Sequence, residues 1–285
     1  MPELPEVDTV ARLIRPRLVG RTVTRTHVKW KRTLGGLSPK NFDVALVGAR
    51  IVRVWRRAKF VVIDLERDAR PAGWLVGHLR MTGRMHVERG GWDAGAHERV
   101  RLELDDGRAF HFIDVRKFGR LWFTRDLNEL LGALGPEPLD AGFTAPWLAR
   151  ELRERRRLLK PLMLDQTFLA GLGNIYTDES LHRARLHPLR RSDSVKPEES
   201  ERLHAAIRAV LSRAIERDGS SFDAFYRTPE GKPGGYQDEF AVYDREGEPC
   251  VVCERPIVKI VVAQRGTHFC STCQRAPRKR GIIRP

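Results

Sequence analysis

The chain has 285 residues, 41% of them hydrophobic, and 52 Lys and Arg against 37 Asp and Glu, a formal charge of +15. That length accommodates two ordinary domains with real cores, and so large a cationic surplus points to a polyanion, either nucleic acid or an anionic membrane surface. Apolar runs such as 60–63 and 257–262 are far too short to span a bilayer, and the N-terminal Met-Pro-Glu-Leu-Pro-Glu-Val has neither the basic segment nor the apolar stretch of a secretion signal, so a soluble cytoplasmic, nucleoid-associated monomer is expected.

A first helix is predicted to begin near Pro5, because proline suits a first helical turn; Val7, Val10, Ile14 and Leu18 repeat at helical spacing and Gly20 stops it. From 22 to about 123 the pattern is that of strands. Ile51–Trp55 and Phe60–Ile63 flank a turn containing Lys59, and Val100–Leu104 returns through the tight Asp106-Gly107 turn into Ala109–Ile113. Gly135-Pro-Glu-Pro138 interrupts the pattern as a linker, which divides the chain into an N-terminal domain over 1–134, a helical domain over 135–240 and a cysteine module over 241–285. In the helical part, Thr144 caps a helix carrying Trp147, Leu148 and Leu152, and a stronger helix after Pro197 presents Leu203, Ile207, Val210, Leu211 and Ile215, ending at Gly219. The Gly-, Ser- and Pro-rich stretch 219–237 reads as a long loop, of the kind that is often functional in a compact protein.

All four cysteines lie at the C-terminal end. Cys250-x2-Cys253, sixteen residues, then Cys270-x2-Cys273 makes two chelating pairs that close a tetrahedron around zinc. Four thiolates leave no open position for water, so one structural Zn2+ is expected. Between the pairs, 257–262 and 267–269 form a hairpin with Arg265 at its tip, where a guanidinium suits bidentate capture of phosphate. Arg275, Arg278, Lys279, Arg280 and Arg284 follow without an acid among them. Upstream, Gly171 and Gly173 let the backbone approach a partner, and Asn174 opens a helix whose positive end makes a phosphate site; Lys160 and the basic run 150–157 precede it.

Pro2-Glu-Leu-Pro-Glu-Val7, Lys59 in its turn, the Gly171-Leu-Gly-Asn-Ile-Tyr176 line and the four-cysteine module, in that order, resemble bacterial formamidopyrimidine-DNA glycosylases along the whole chain. The resemblance implies an α+β multidomain fold: an N-terminal β-sandwich flanked by helices, a helix–two-turn–helix middle and a C-terminal zinc-finger β-hairpin. It further implies a bifunctional glycosylase/AP lyase that excises oxidised purines (8-oxoguanine, formamidopyrimidines) from duplex DNA through a Schiff base on Pro2. β,δ-Elimination then cuts the strand, without a diffusible cofactor. By the same resemblance, Glu3 assists sugar-ring opening, Glu6 supports the same site, Lys59 donates a proton in β-elimination and Arg265 binds phosphate. Met81, Arg116 and Phe118 fill the gap left by the extruded base, His97 and Lys160 match DNA-contact positions, and the 219–237 loop closes over the base. The chain departs from the pattern at His97-Glu-Arg99, where many members have His-Asp-His, and at Tyr243-Asp-Arg, where they have Tyr-Gly-Arg. Two other readings stand beside this one. An endonuclease VIII type acting on oxidised pyrimidines is disfavoured by Pro-Glu-Leu-Pro in place of Pro-Glu-Gly-Pro. A non-catalytic zinc-dependent DNA-binding protein leaves Pro2, Glu3 and Lys59 without a task.

Overall fold

The computed structural model describes residues 1–221 and 226–276. The first helix, α1 (Leu4–Leu18), begins on a capping box in which the Glu3 and Glu6 side chains reach each other's ends of the first turn, with Pro5 inside that turn. Leu4, Val7, Val10, Ala11, Ile14 and Leu18 form its buried stripe. There follow β1 (Val23–Val28), α2 (Pro39–Leu46), β2 (Arg50–Arg57), β3 (Phe60–Arg67), β4 (Arg70–His78), β5 (Gly83–Arg89), β6 (Glu98–Leu104), β7 (Arg108–Asp114) and β8 (Arg120–Thr124). Helix α2 interrupts what the sequence pattern reads as uninterrupted strands. Its start was marked: Ser38 accepts a hydrogen bond from the Asn41 amide, and Pro39 occupies the first turn.

The strands form two antiparallel sheets, ordered β2-β3-β4-β8 and β1-β6-β7-β5. Alternate residues of both sheets meet in one core with α1 and α2, including Ile14, Phe42, Val61, Ile63, Leu75, Val100, Phe110 and Phe112. This is the expected sandwich.

Beyond it come α3 (Asn128–Leu131), α4 (Ala145–Arg155), α5 (Leu159–Leu164), α6 (Asn174–Arg183), α7 (Pro197–Glu216) and the hairpin β9 (Val258–Val262) and β10 (Arg265–Phe269). Thr144 caps α4 by accepting from the Trp147 amide, and α7 buries Leu203, Ile207, Val210 and Leu211. Residues 135–138 are more than a linker: Gly135 N donates to the Gln166 carbonyl, and Ala170 N to that of Pro136.

By their contacts the residues group into two units, Met1–Ala133 with Arg217–Gly235, and Leu134–Glu216 with the chain from Tyr236 onward. The grouping differs from the three consecutive segments read off the sequence in two ways. Segment 217–235 packs with the sandwich, and the cysteine module packs with the helices. Among the described residues no helix is long and apolar enough to cross a membrane.

Candidate functional site

Pro2 is buried at the start of α1. Glu6 is the organising group there: one carboxylate oxygen accepts the Glu3 amide at 2.7 Å, and the other accepts the Ser220 amide at 2.8 Å. A Cβ on Gly219, at φ +77°, would lie 2.6 Å from that second oxygen, so only glycine lets segment 217–221 close on the helix start. The Tyr226 hydroxyl donates to the Asp218 carbonyl at 3.0 Å. The sequence placed Gly219 and Ser220 in a functional loop but not against Glu6, because that partner lies more than 200 positions away.

Lys59 sits in the β2–β3 turn and is buried despite its charge. The turn puts Ala58 at φ +51°, and Arg56 braces it by donating to the Ala58 carbonyl at 3.2 Å while reaching Asp8 of α1 at 3.3 Å. Across the strand pair, Phe60 faces His78 edge-on at 4.8 Å. Burial, with help from the positive charges of Arg80 and Lys59, drops the His78 pKa to about 3. The ring is therefore neutral, and its Nδ1 accepts the Arg80 amide at 2.9 Å.

Met81, Arg116 and Phe118 come together as the resemblance implies. Met81 is 38% and Phe118 50% exposed. The Arg116 guanidinium lies 5.0 Å from the Phe118 ring centroid and 3.3 Å from the Met81 sulfur. Asp114, which sequence reasoning passed over, holds the turn that carries them. Fully buried, it accepts from the Thr82 hydroxyl, the Arg116 amide at 3.2 Å and the Gly119 amide at 2.6 Å. The departure at His97-Glu-Arg99 serves the same turn: Arg99 is buried and donates to the Asp114 carbonyl at 2.7 Å, whereas His97 is exposed, its carbonyl accepting the Asp114 amide. Lys117, at φ +61°, rests its ammonium 4.1 Å from the Trp30 ring centroid.

In the other unit, α6 is a polar hub. Asn174 donates to the Gly266 carbonyl at 2.8 Å, Asp178 accepts the His268 amide at 3.0 Å, and the His182 Nε2 lies 3.5 Å from the Cys250 sulfur. These residues recur every fourth position, on one helical face. Glu179 accepts the amides of Ala241, Val242 and Tyr243 at 2.9–3.0 Å. Burial pushes its carboxyl up against the pull of those three donors. Gln274 spans from the Cys270 amide to the Leu186 carbonyl.

Two expectations change. Lys160 is 0% exposed and ion-paired with Asp178, so its charge braces α5 against α6 instead of facing solvent. Arg265 is exposed but is the first residue of β10; the two-residue turn is Ala263-Gln264. Arg278, Lys279, Arg280 and Arg284 lie outside the described residues, as do 222–225 of the 219–237 loop.

The four cysteine sulfurs all lie within 4.8 Å of one another, with Cys253–Cys270 at 3.4 Å and Cys250–Cys273 at 3.9 Å. Zinc–sulfur bonds of about 2.3 Å in a tetrahedron need sulfurs roughly 3.8 Å apart, so the residues fit the ion. The Arg255 amide pulls the Cys253 thiol down to about 7, while burial pushes Cys270 and Cys273 up. Thiols so crowded lose their protons together only against a cation. This is a structural zinc site.

Comparison with known proteins agrees along the chain. Residues 1–121 match the formamidopyrimidine-DNA glycosylase N-terminal domain, 134–225 its H2TH domain, and 247–276 the zinc finger found in FPG and IleRS. The formamidopyrimidine-DNA glycosylase of Thermus thermophilus is 46% identical over 283 residues, covering 96% of this chain and 98% of its own. That of Symbiobacterium thermophilum is 44% identical over 281, covering 97% and 90%. The crystal structure of MutM (Fpg) from Thermus thermophilus superposes with a TM-score of 0.85 at 45% identity, over 96% of this chain and 98% of that one. Lactococcus lactis Fpg bound to Fapy-dG-containing DNA gives 0.87 at 32% identity, over 96% and 100%. Shared architecture, zinc site and identity over nearly the full length lead to one conclusion: the chain belongs to the formamidopyrimidine-DNA glycosylase family.

Proposed function

We propose that this protein excises oxidised purines, 8-oxoguanine and formamidopyrimidines, from duplex DNA and then cleaves the strand at the resulting abasic site, acting as a monomer in the cytoplasm. With Met1 removed, Pro2 bears a secondary amine; free α-amino groups have pKa values near 8, so on the order of a tenth is unprotonated at pH 7 without tuning. The amine nitrogen attacks C1′ of the deoxyribose, and the base leaves with the glycosidic electron pair and takes a proton. The nitrogen then gives up its own proton, and its regained lone pair breaks the C1′–O4′ bond to form an iminium. Glu3 protonates the opening sugar ring. The iminium acidifies C2′–H, whose loss expels the 3′ phosphate, and a second elimination expels the 5′ phosphate. Lys59 serves proton transfer in the first elimination, and Arg265 holds the phosphate of the second.

The observation that carries this reading is the buried Pro2–Glu3–Glu6 corner, where the Glu6 carboxylate fixes the first turn and segment 219–220 around the attacking nitrogen. The clustered Met81, Arg116 and Phe118 support base extrusion, since a partly exposed apolar wedge beside a guanidinium can fill a vacated stack. Lactococcus lactis Fpg bound to DNA containing Fapy-dG or an abasic site supports the substrate class. His97 and Asn174 are assigned to the DNA-facing surface, and Lys160 acts from beneath it by positioning α5 and α6.

Borohydride should trap a covalent adduct on a duplex carrying 8-oxoguanine, and an uncleaved N-terminal extension should abolish it while sparing affinity. Undiminished trapping with the extension excludes Pro2. A preference for oxidised pyrimidine in the same assay moves the protein to the endonuclease VIII type, and binding with no adduct on any lesion leaves a DNA-binding module.

A further inference from the structure

The outer face of sheet β1-β6-β7-β5 carries a pair of histidines for which the mechanism above has no use. His86 of β5 and His111 of β7 are register partners, so they share a face with Cβ atoms about 5 Å apart. The His86 Nδ1 lies 3.0 Å from the Pro229 carbonyl. A carbonyl only accepts, so Nδ1 carries the proton, and Nε2 of the neutral ring keeps a bare lone pair. Burial, with nearby Arg84, holds His86 below the usual histidine range despite that hydrogen bond, which favours this neutral form. The His111 Nδ1 lies 2.7 Å from the Glu98 carboxylate. Burial would raise that carboxyl, but hydrogen bonds from Lys29 and His111 outweigh it and hold Glu98 ionised. Nδ1 of His111 is therefore the protonated nitrogen. Its Nε2 is buried, in a residue 2% exposed, and has no hydrogen-bond partner.

A histidine whose Nδ1–H is tied to a carboxylate or carbonyl while Nε2 is bare is how proteins present imidazole to a metal. Here two such rings stand side by side. The Trp92 ring covers both, 5.5 Å from His86 and 5.0 Å from His111. It belongs to the β5–β6 loop, where Gly91 and Gly95 adopt positive φ, and it is itself 39% exposed.

We propose that His86 and His111 form a second metal site, taking a divalent transition ion of the nickel, copper or zinc class through two imidazoles beneath Trp92, with Glu98 orienting His111. Imidazole nitrogen suits these ions. Arg101, the register partner of His111 on its other side, adds a positive neighbour that weakens the site relative to the four-thiolate one. Because His86 also holds the Pro229 carbonyl, occupancy ties segment 226–235 to the sheet.

The test is titration of the zinc-loaded full chain with Ni2+, followed by calorimetry and tryptophan fluorescence. One Ni2+ should bind in addition to the four-cysteine zinc and quench emission. His86→Gln should weaken binding more than tenfold, and Glu98→Gln by roughly 10–100-fold, the usual cost of losing a ligand's orienting carboxylate. Trp92→Phe should remove most of the quenching and leave the affinity intact. The decision rests on His86→Gln, a half-buried position whose variant can be checked for an unchanged Tm. Absence of a second bound ion, unchanged affinity in that variant, or full quenching without Trp92 each overturns the proposal.

Discussion

The sandwich and the cysteine module solve the same problem by different physics. The sandwich is held by a continuous apolar core running through both sheets, α1 and α2. Among the described residues the module buries little apolar surface, Val242, Ile257, Val262, Phe269 and the buried cysteines, too little to hold a fold without further help. Its stability is imported from the zinc site and from polar contacts with Asn174 and Asp178 of α6 and with the Leu186 carbonyl beyond that helix. The difference teaches why the module is not an independent domain: the hairpin that carries Arg265 leans on Asn174 and Asp178 through Gly266 and His268.

Removing zinc should break this comparison most visibly. Structural zinc sites contribute on the order of 10 kcal/mol to folding. Chelation, or Cys270→Ser, is therefore expected to unfold residues 241–276 while the sandwich amides stay protected. Hydrogen exchange read segment by segment checks this, and equal protection with and without metal would show that the α6 contacts suffice alone.

The Lys160–Asp178 pair sharpens the same point. Both groups are fully buried, and stranding one partner of such a pair costs about 3–5 kcal/mol. Asp178→Ala should lose that much in urea unfolding. The double change Lys160→Met with Asp178→Leu should recover the part due to the stranded charge, but not the part due to the His268 amide that Asp178 also accepts. If DNA affinity survives in the recovered double variant, Lys160 positions and does not touch; if affinity is lost at unchanged stability, the lysine reaches a phosphate.

What the sequence let one see divides along a similar line. The zinc ligands were legible because chelation by Cys-x2-Cys is local, and so were the α1 stripe, the Lys59 turn and the α4 cap. The support for the site was not. Asp114 looks like an ordinary strand end until Thr82, Arg116 and Gly119 converge on it. The stretch 219–237 reads as a long loop after the last helix, and nothing in it reveals that Ser220 meets Glu6. The Asn174, Asp178, His182 face was not read from the sequence beyond Asn174, because its partners lie 68 to 92 positions away. Lys160 misled because a lysine in a basic run is normally exposed, and only the opposing carboxylate of Asp178 lets it be buried.

The sandwich should betray itself through pH. His78 titrates near 6.5 when unfolded but near 3 in the fold, because burial disfavours its charged form. Between those values the unfolded chain binds more protons, so stability falls as pH is lowered through that window. At pH 4.5, two units below the unfolded value, the loss from this group is about 3 kcal/mol. His78→Asn keeps an acceptor for the Arg80 amide without a titrating ring, and should flatten the slope of Tm against pH by about one proton. An unchanged slope would assign the acid sensitivity elsewhere.

The smallest effect belongs to the module, at the departure Tyr243-Asp-Arg. Asp244 adopts φ +57°, a conformation glycine enters freely and aspartate with some strain. The turn around it is already fixed, by the Tyr243 amide on Glu179 and by Arg245 donating to the carbonyls of Phe240, Ala241 and Pro249. Asp244→Gly therefore relieves local strain, but it also gives the unfolded chain more freedom, and the two terms nearly cancel. A gain of about 0.5 kcal/mol or less is expected, seen as a rise in Tm of about 1–2 °C with metal affinity unchanged. A loss above about 1 kcal/mol would mean that the Asp244 carboxylate itself supports the module.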